Sequence, residues 1–174
     1  SNTVSKRDFL SDVCVEWEKG AQSLSGLCRV VSVRVGFVLD AKSEAFNKLL
    51  MPIKLGVGSP LGSGKQFISW IHLKDLVSVF MKTIQDETLC GVFNGCSPNP
   101  VTQKELTVAL ATTYKKPLWM PNVPKFALQL LLGEMADLVT AGCRAIPQRL
   151  LEGSFEFSFP KIAGALKQIK DARD

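Results

Sequence analysis

The 174-residue sequence lacks a long apolar run, closely spaced cysteine pairs and all but one histidine. No apolar stretch reaches the roughly 18–20 residues that a bilayer-spanning helix needs. The first ten residues, SNTVSKRDFL, do not contain the apolar stretch of a signal peptide. We therefore expect a soluble protein with no membrane partner. The length suffices for one globular domain with a buried core, or for the larger part of one.

The few cysteines and the single histidine also argue against a metal centre. The five cysteines are an odd number at wide spacings with no CxxC motif, and His72 is the only histidine. A zinc site would therefore need ligands from several distant parts of the chain. We expect no metal, reduced thiols and a cytoplasmic localisation.

The charge pattern argues against nucleic acid as a partner. Twenty-one Lys and Arg against sixteen Asp and Glu give a net charge of +5. The basic residues are scattered, and the densest pairs, Lys6-Arg7 and Lys115-Lys116, do not continue into a basic stripe with interleaved aromatic residues. A basic rim around a site for an anionic small-molecule substrate suits this distribution at least as well. A homo-oligomer stays an open alternative.

The apolar pattern predicts an α/β fold with one strand buried on both faces. Residues 29–39 are β-branched and nearly continuously apolar, which is typical of a strand inside a parallel sheet. The other predicted elements are helices over 8–23, 43–51 and 72–86, a strand over 91–96, a helix opened by a capping box at Thr102 and Glu105, and a last amphipathic helix. A single strand of this type needs neighbours, so we expect the later part of a larger fold.

Two of the predicted helices carry specific expectations. The helix over 43–51 should stop at Pro52, because proline cannot donate a helical hydrogen bond. The helix over 72–86 should bury one apolar face, formed by Leu73, Leu76, Val77, Phe80 and Ile84.

A glycine-rich stretch, GVGSPLGSGK, first suggests a phosphate-binding loop. A Walker A loop requires glycine six residues before the lysine and Ser or Thr after it. Here Ser59 precedes Lys65 by six residues and Gln66 follows, and the stretch leads into a strand rather than a helix. The sequence therefore predicts a hairpin turn. An alternative places Lys65 and Gln66 beside a substrate, because glycine-rich loops often border sites.

Signals for catalysis are weak. The chain contains no GxGxxG motif, and its single tyrosine, Tyr114, is followed four residues later by Leu118 rather than lysine. A tyrosine acid for hydride-transfer chemistry needs that lysine to lower its pKa. His72 could serve as a base or as a structural hydrogen-bonding residue, and the spacing leaves both open. We predict no catalytic residue in this chain.

Several segments, taken together in their order along the chain, resemble a known protein family. These segments are DFLSDVCVEWE, RVVSVRVGFVL, GKQFISWIHLKDLV, GVFNGCSPNPVTQKEL and GCRAIPQRLLEGSFEFSFP. Together they resemble the epimerase-like branch of the extended short-chain dehydrogenase/reductases. More narrowly, they resemble the nucleoside-diphosphate-sugar-epimerase-like family with a C-terminal extension of unknown function. The resemblance runs from about residue 8 to residue 172 and covers only the C-terminal part of such proteins.

The resemblance implies the fold and the domain organisation. Residues 1–95 would be the last elements of a Rossmann-type doubly wound parallel sheet, whose N-terminal half is absent. Residues 96–174 would form a small helix-rich substrate domain. The full-length protein would bind NADP or NAD and act on an unknown small molecule.

The resemblance also implies where the cofactor would lie. Cofactors bind outside the carboxyl ends of such strands, so the backbone of Gly36, Phe37 and Val38 would approach the nicotinamide. Arg34 occupies the arginine position that the family has on this strand. A salt bridge within the sheet layer is an equal alternative for Arg34.

On the substrate side, the matching segment runs from a strand into a helix that borders the cleft. Trp70 and His72 would line this cleft, together with Lys65 and Gln66 of the glycine-rich loop. Asp75 is expected to bind backbone groups or cap the helix rather than to perform chemistry.

The departures from the family lie in the catalytic helix and the missing half. Relatives carry a tyrosine and a lysine four residues apart, where this sequence has Leu10 and Cys14. Two hypotheses result. The protein is part of an NAD(P)-dependent epimerase- or dehydratase-like oxidoreductase, or it is a non-catalytic binding or assembly module derived from that fold. We expect the chain alone to be inactive and not to bind the cofactor.

Overall fold

A computed structural model describes residues 9–124 and 142–173. In these ranges six helices and six strands follow one another. They are α1 (Phe9–Gln22), β1 (Val31–Val35), β2 (Phe37–Leu39), α2 (Glu44–Lys54), β3 (Phe67–Ile68), β4 (Trp70–His72), α3 (Leu73–Gln85), β5 (Gly91–Gly95), β6 (Val101–Thr102), α4 (Gln103–Thr113), α5 (Gln148–Glu152) and α6 (Ile162–Asp171). None of the helices in these ranges is both long and apolar enough to span a bilayer.

Side-chain caps determine where three of the helices begin. Ser43 accepts a hydrogen bond from the backbone of α2, and Thr102 forms with Glu105 the predicted capping box of α4. The His72 ring caps α3. Pro52 does not end α2, which continues to Lys54. This prediction was wrong because a proline in the last turn removes only one backbone bond from a helix that tertiary packing holds.

The strands confirm a parallel α/β arrangement. β1 pairs with β5 in parallel, from Val31 opposite Gly91 onward, and β2 pairs with β4 in parallel. β3 and β6 form a short antiparallel pair. The predicted single strand over 29–39 is therefore two strands, separated at Gly36, with different partners.

The buried side chains form two clusters. The larger cluster is built around α2, α4 and α6 and contains Leu39, Phe46, Leu50, Ile53, Trp70, Leu106, Leu110, Ala111, Ala165, Leu166 and Ile169. The smaller cluster lies between α3, β5 and α5 and contains Ile71, Leu76, Val79, Phe93 and Leu150. The larger cluster draws on residues from both sides of residue 95, so the described elements pack across the predicted domain boundary. The division into 1–95 and 96–174 stays a prediction.

Helix α3 turns a different face inward from the predicted one. Leu76 and Val79 are buried, as predicted for Leu76, whereas four other residues of the predicted face are exposed. These four are Leu73, Val77, Phe80 and Ile84, with exposed fractions of 38–65%. The helix is apolar on two sides, and the described part of the chain covers only one of them.

The outer edge of β5 is covered by the C-terminal part of the chain. The Arg149 guanidinium donates hydrogen bonds to the carbonyls of Cys90 and Val92 and lies 4.1 Å from the centre of the Phe93 ring. Next to it, the Asn94 side chain donates to a carbonyl of the approaching segment. Side-chain donors thus occupy the carbonyls that a further strand would need.

Candidate functional site

The two parallel strands β1 and β5 end side by side and then separate around the start of β4. The Gly36 N–H donates to the last residue of β5. Beyond this point both segments bond to the start of β4. The Phe37 N–H donates to the carbonyl of Ser69, the residue before β4, and the Ser97 N–H donates to the Trp70 carbonyl. The sheet therefore forks at Gly36, at the carboxyl ends of β1 and β5.

Glycine is required at this fork for steric reasons. A Cβ atom at Gly36 would collide with the Ser69 carbonyl oxygen and would lie 3.3 Å from the Cys96 Cβ atom. A Cβ atom at Gly95 would lie 2.8 Å from a methyl group of Val33. Both strands diverge where neighbouring atoms already fill the space of a side chain.

The segment 142–146 lies against this fork. The Ser69 hydroxyl donates to the Cys143 carbonyl and accepts from the Ala145 N–H, each at 2.8 Å. The Cys143 N–H in turn donates to the Phe67 carbonyl. Through Ser69, a part of the chain more than seventy residues away is attached to the carboxyl ends of the parallel strands.

The glycine-rich loop leads to Gln66, whose Cβ atom would lie 2.9 Å from a Cβ atom at Gly142, and the loop is closed by its own groups. Gly62 and Gly64 have φ of 59° and 68°, which confirms the predicted turn. The Gln66 amide accepts from the Ser63 hydroxyl at 3.2 Å and donates to the Leu61 carbonyl at 2.9 Å. The amide of Gln66, which was predicted to contact a substrate, thus forms hydrogen bonds within the loop.

Lys65 and Trp70 have opposite environments, although both were predicted on the substrate side. The Lys65 side chain is exposed at the tip of the loop. The Trp70 side chain is fully buried in the larger cluster, and its indole N–H donates to the Asn99 carbonyl at 2.9 Å. The Lys65 side chain is thus accessible to solvent and the Trp70 side chain is part of the core, and their predicted substrate contacts stay predictions.

His72 is buried and both of its ring nitrogens are engaged. Nδ1 accepts from the Lys74 N–H at 3.1 Å, so Nε2 carries the proton that is donated to Gln168 Oε1 at 2.8 Å. The ring also lies 4.1 Å from the ring of Phe159. Burial lowers the pKa of His72, and the hydrogen bond to Gln168 opposes this shift only in part. The contacts favour the structural alternative over a substrate contact, because a ligand could bind His72 only by displacing one of these partners.

Asp75 follows the prediction that it binds backbone groups. Its carboxylate, itself buried, accepts from the N–H groups of Ser158 and Phe159 at 2.8 and 3.0 Å. It thereby ties the first turn of α3 to the segment that precedes α6.

Arg34 forms the salt bridge that was the alternative to a cofactor contact. Its guanidinium binds both carboxylate oxygens of Glu18 at 2.6 Å. The hydrogen bond from Arg34 lowers the pKa of Glu18, which keeps the carboxylate charged. This pair connects α1 to β1. A contact between Arg34 and a cofactor would have to compete with Glu18.

The Cys96 thiol, which lies next to the fork, is not activated. Burial, and to a smaller extent the neighbouring Cys143, raises the pKa of Cys96 to about 11, so this thiol is protonated at neutral pH. Within the described ranges no three His, Cys, Asp or Glu side chains are grouped as metal ligands. Cys14, which the resemblance places at the lysine position of the family, is exposed on α1.

Ser69, Cys143 and Ala145 are the functional-site residues that sequence reasoning missed. Ser69, between β3 and β4, lies inside the motif that carried the resemblance, but nothing in the local sequence distinguishes it from other serines. Its importance comes from two hydrogen bonds to residues far away in sequence.

Comparison with known proteins identifies relatives of the whole chain. A family model described as a domain of unknown function (DUF1731) matches residues 123–169. The epimerase family protein SDR39U1 homolog, chloroplastic, of Arabidopsis thaliana is 39% identical over 168 residues, which is 97% of this chain and 48% of that protein. The chain spans about half the length of the curated relatives it matches.

Solved structures share the fold and extend well beyond the part that this chain matches. The crystal structure of human epimerase family protein SDR39U1 (isoform 2) with NADPH superposes with a TM-score of 0.84 at 31% identity, over 95% of this chain and 56% of that chain. A nucleoside-diphosphate sugar epimerase from Corynebacterium glutamicum superposes with a TM-score of 0.73 at 28% identity, over 93% of this chain and 31% of that chain.

Proposed function

Because this chain is homologous to the C-terminal part of the epimerase-family proteins, we propose that it forms the substrate side and the nicotinamide-facing edge of an NAD(P)-dependent enzyme. The reaction class is that of an epimerase- or dehydratase-like oxidoreductase acting on a small molecule. Residues 1–95 supply the last elements of the nucleotide-binding sheet, and residues 96–174 supply the substrate side.

The observation that carries this proposal is the fork at Gly36. In doubly wound sheets, ligands bind in the crevice outside the carboxyl ends of parallel strands. Here the ends of β1 and β5 lie beside Ser69, to which the segment 142–146 is hydrogen-bonded. The relative with 31% identity was crystallised with NADPH, which supports a nicotinamide cofactor for the complete site.

The described residues fit only a part of that cofactor. The N–H groups of Gly36 and Phe37 are already bonded to Gly95 of β5 and to Ser69, the residue before β4. They therefore offer no free donors to the nicotinamide. The described ranges also contain no glycine-rich turn that leads into a helix N-terminus, the element that binds a pyrophosphate. This chain thus supplies only the surface against which the nicotinamide would lie. Most of the affinity for the cofactor has to come from parts of the site outside this chain.

On the substrate side, Lys65 is the group that we assign to an anionic substrate. Its side chain is exposed, and the loop beneath it is closed by Gln66 and Ser63. Trp70 and His72 are buried, and we assign them the role of holding β4 and α3, which position this loop. The assignment agrees with the net positive charge of the chain, which favours an anionic small molecule as substrate.

A titration with NADPH tests the proposal. The 174-residue chain should show no binding by fluorescence or calorimetry, because a few backbone contacts worth about 1 kcal/mol each cannot offset the cost of immobilising a ligand. A fusion of the N-terminal half of the Arabidopsis relative to this chain should bind NADPH in the micromolar range or tighter, on the order of −8 kcal/mol.

Two outcomes contradict the proposal. Tight binding by the chain alone would show that it holds a complete site. Failure of the fusion protein to bind NADPH, with its fold intact by circular dichroism, would remove the cofactor from the proposal.

A second candidate is a binding or assembly module without catalysis. It is favoured by α1, which has Cys14 where the resemblance to the family leads us to expect a lysine. A fusion protein that binds NADPH but never oxidises it, with any nucleotide sugar tested, would favour this candidate over the enzyme.

A further inference from the structure

A cleft of about 480 Å³ lies between helix α2 and Arg173, which follows helix α6. Its apolar wall is one side of α2, where Met51 and Leu55 are 64% and 68% exposed. The buried side chain of Leu50 adjoins them. A cleft of this volume can hold a small organic molecule.

Arg173 lines this cleft with a guanidinium that retains an unpaired donor. Its Nη2 atom donates to the Ala41 carbonyl and to Asn47 Oδ1. The guanidinium carbon lies 5.5 Å from the centre of the Phe46 ring. The Nε atom is buried and has no hydrogen-bond acceptor among the described residues. Because burying a donor or a charge without a partner costs free energy, an anion beside this guanidinium would be stabilising.

Lys54 brings a second positive charge to the same cleft. Its ammonium group lies 5.2 Å from the centre of the Tyr114 ring. The ion pairs within the described ranges include neither Lys54 nor Arg173. Lys48, also at the cleft, differs because its ammonium group binds the Glu44 carboxylate at 2.7 Å. Two cations without a carboxylate partner in the described part of the chain therefore face an apolar wall.

The positions on α2 place charge and apolar surface side by side. Met51 and Leu55 are four residues apart, so their side chains are neighbours on one face of the helix. Lys54 is three residues from Met51, and a long lysine side chain can extend along apolar surface while its ammonium group stays in water. A ligand whose body lies on Met51 would therefore have its head within reach of a cation.

These two properties specify the chemical class of a ligand. The exposed apolar wall favours a hydrocarbon body, because covering it removes apolar surface from water. The unpaired cations favour a negatively charged head, and a guanidinium forms short charge-assisted hydrogen bonds with a carboxylate. A positively charged head would be repelled, and an uncharged one would leave both cations without a partner.

We propose that the cleft between α2 and Arg173 binds an apolar carboxylate of the fatty-acid type as a free small molecule. The carboxylate lies at Arg173 and Lys54, and the hydrocarbon chain covers Met51 and Leu55. This site is independent of cofactor binding at the fork, because neither Gly36 nor Ser69 lines the cleft.

A titration of the 174-residue chain with decanoate, kept below the concentration at which it forms micelles, tests the proposal. Calorimetry should show saturable binding, and the amide NMR signals that shift should be those of α2 and of the residues around Arg173. Decyltrimethylammonium has the same hydrocarbon chain with a positive head. It should bind at least tenfold more weakly, because both cations repel it.

Two variants test the head and the body of the ligand separately. Lys54→Gln removes one cation, and Met51→Asp places a carboxylate on the apolar wall. Each should weaken decanoate binding about tenfold, which is about 1.4 kcal/mol. Both side chains are exposed, so circular dichroism and thermal unfolding should match those of the original chain. Arg173→Gln should weaken binding as well, but it also removes the hydrogen bonds to Ala41 and Asn47.

Matched controls lie on α3. Lys74 and Met81 are exposed and do not line the cleft. Lys74→Gln and Met81→Asp make the same chemical changes there and should leave decanoate binding unchanged.

Three results would overturn the proposal. Decanoate shows no saturable binding, decyltrimethylammonium binds as tightly as decanoate, or Lys54→Gln and Met51→Asp bind decanoate as tightly as the original chain. Vesicles of phosphatidylcholine with phosphatidylserine provide a further arm. Binding to these vesicles that both variants weaken, without binding of free decanoate, would assign the surface to a membrane and also contradict the proposed small-molecule site.

Discussion

The region around α2, α4 and α6 and the region around α1, β1 and α3 have similarly apolar sequences but opposite degrees of burial. In the first region, Phe46, Leu106 and Leu166 have no exposed surface. In the second, Phe80 and Ile84 are 42% and 65% exposed. The difference shows what an apolar pattern in the sequence can predict. The pattern indicates that one face of a helix is to be buried, whereas only the structure shows which residues bury it.

The largest expected effect comes from a pair of phenylalanines, one in each region. Phe46→Ala should lower the free energy of unfolding by about 3–5 kcal/mol, because it removes a ring from the packed core. Phe80→Ala should change it by less than about 1 kcal/mol, because its ring is partly solvated and alanine favours a helix. Urea unfolding of both variants measures the contrast.

Equal losses at the two positions would contradict the comparison. They would mean that the exposed face of α3 is covered in the isolated chain, by self-association or by residues outside the described ranges. Repeating the unfolding at two protein concentrations distinguishes these causes, since only self-association depends on concentration.

An intermediate effect is expected at the fork, where the two regions meet. Gly36→Ala should cost about 1–3 kcal/mol, because the new methyl group collides with the Ser69 carbonyl oxygen. Gly20→Ala, in α1, has nothing within 4 Å of the added carbon. It should be neutral or stabilise the chain by up to about 1 kcal/mol. Thermal unfolding of the two variants checks this, and a neutral Gly36→Ala would show that the fork can widen freely.

The smallest effect concerns pH and depends on His72, which links α3 to α6. Burial lowers the pKa of His72 below its ordinary value, so protonation favours the unfolded chain. The contribution of His72 to the free energy of unfolding is fully present above about pH 6.5. It is lost as the pH falls, by at most about 1.4 kcal/mol per pH unit.

The control for this prediction is His72→Asn, which retains a side-chain acceptor for the cap of α3. The chain contains no other histidine. The free energy of unfolding of the variant should therefore not change between pH 6.5 and about 5, where the original chain loses stability. Identical pH profiles for the two proteins would show that His72 does not titrate differently on folding.

Local features of the fold could be predicted from the sequence with good success. The helix over 8–23, the capping box at Thr102 and the backbone-binding role of Asp75 appear as expected. Each depends on a short pattern, such as an apolar period or a polar residue at a helix start, whose physical cause lies within a few residues.

Features that depend on distant contacts could not be predicted. The division of the long strand at Gly36 requires the position of Ser69, and the role of Ser69 requires Cys143 and Ala145. Similarly, the apolar pattern of α3 fits two opposite faces, and the choice between them depends on which neighbours are present. The apolar periodicity of the sequence therefore indicates neither where the strand divides nor which face of α3 is buried.

The guanidinium of Arg149 on the edge of β5 has a consequence for polymerisation. A sheet that can accept strands at both edges can add chains without limit, as in a fibril. With Cys90 and Val92 already bonded to Arg149, this sheet can add a chain at one edge only. Strand pairing between copies would therefore stop at two molecules, and the sheet could not extend into a fibre while Arg149 holds its place.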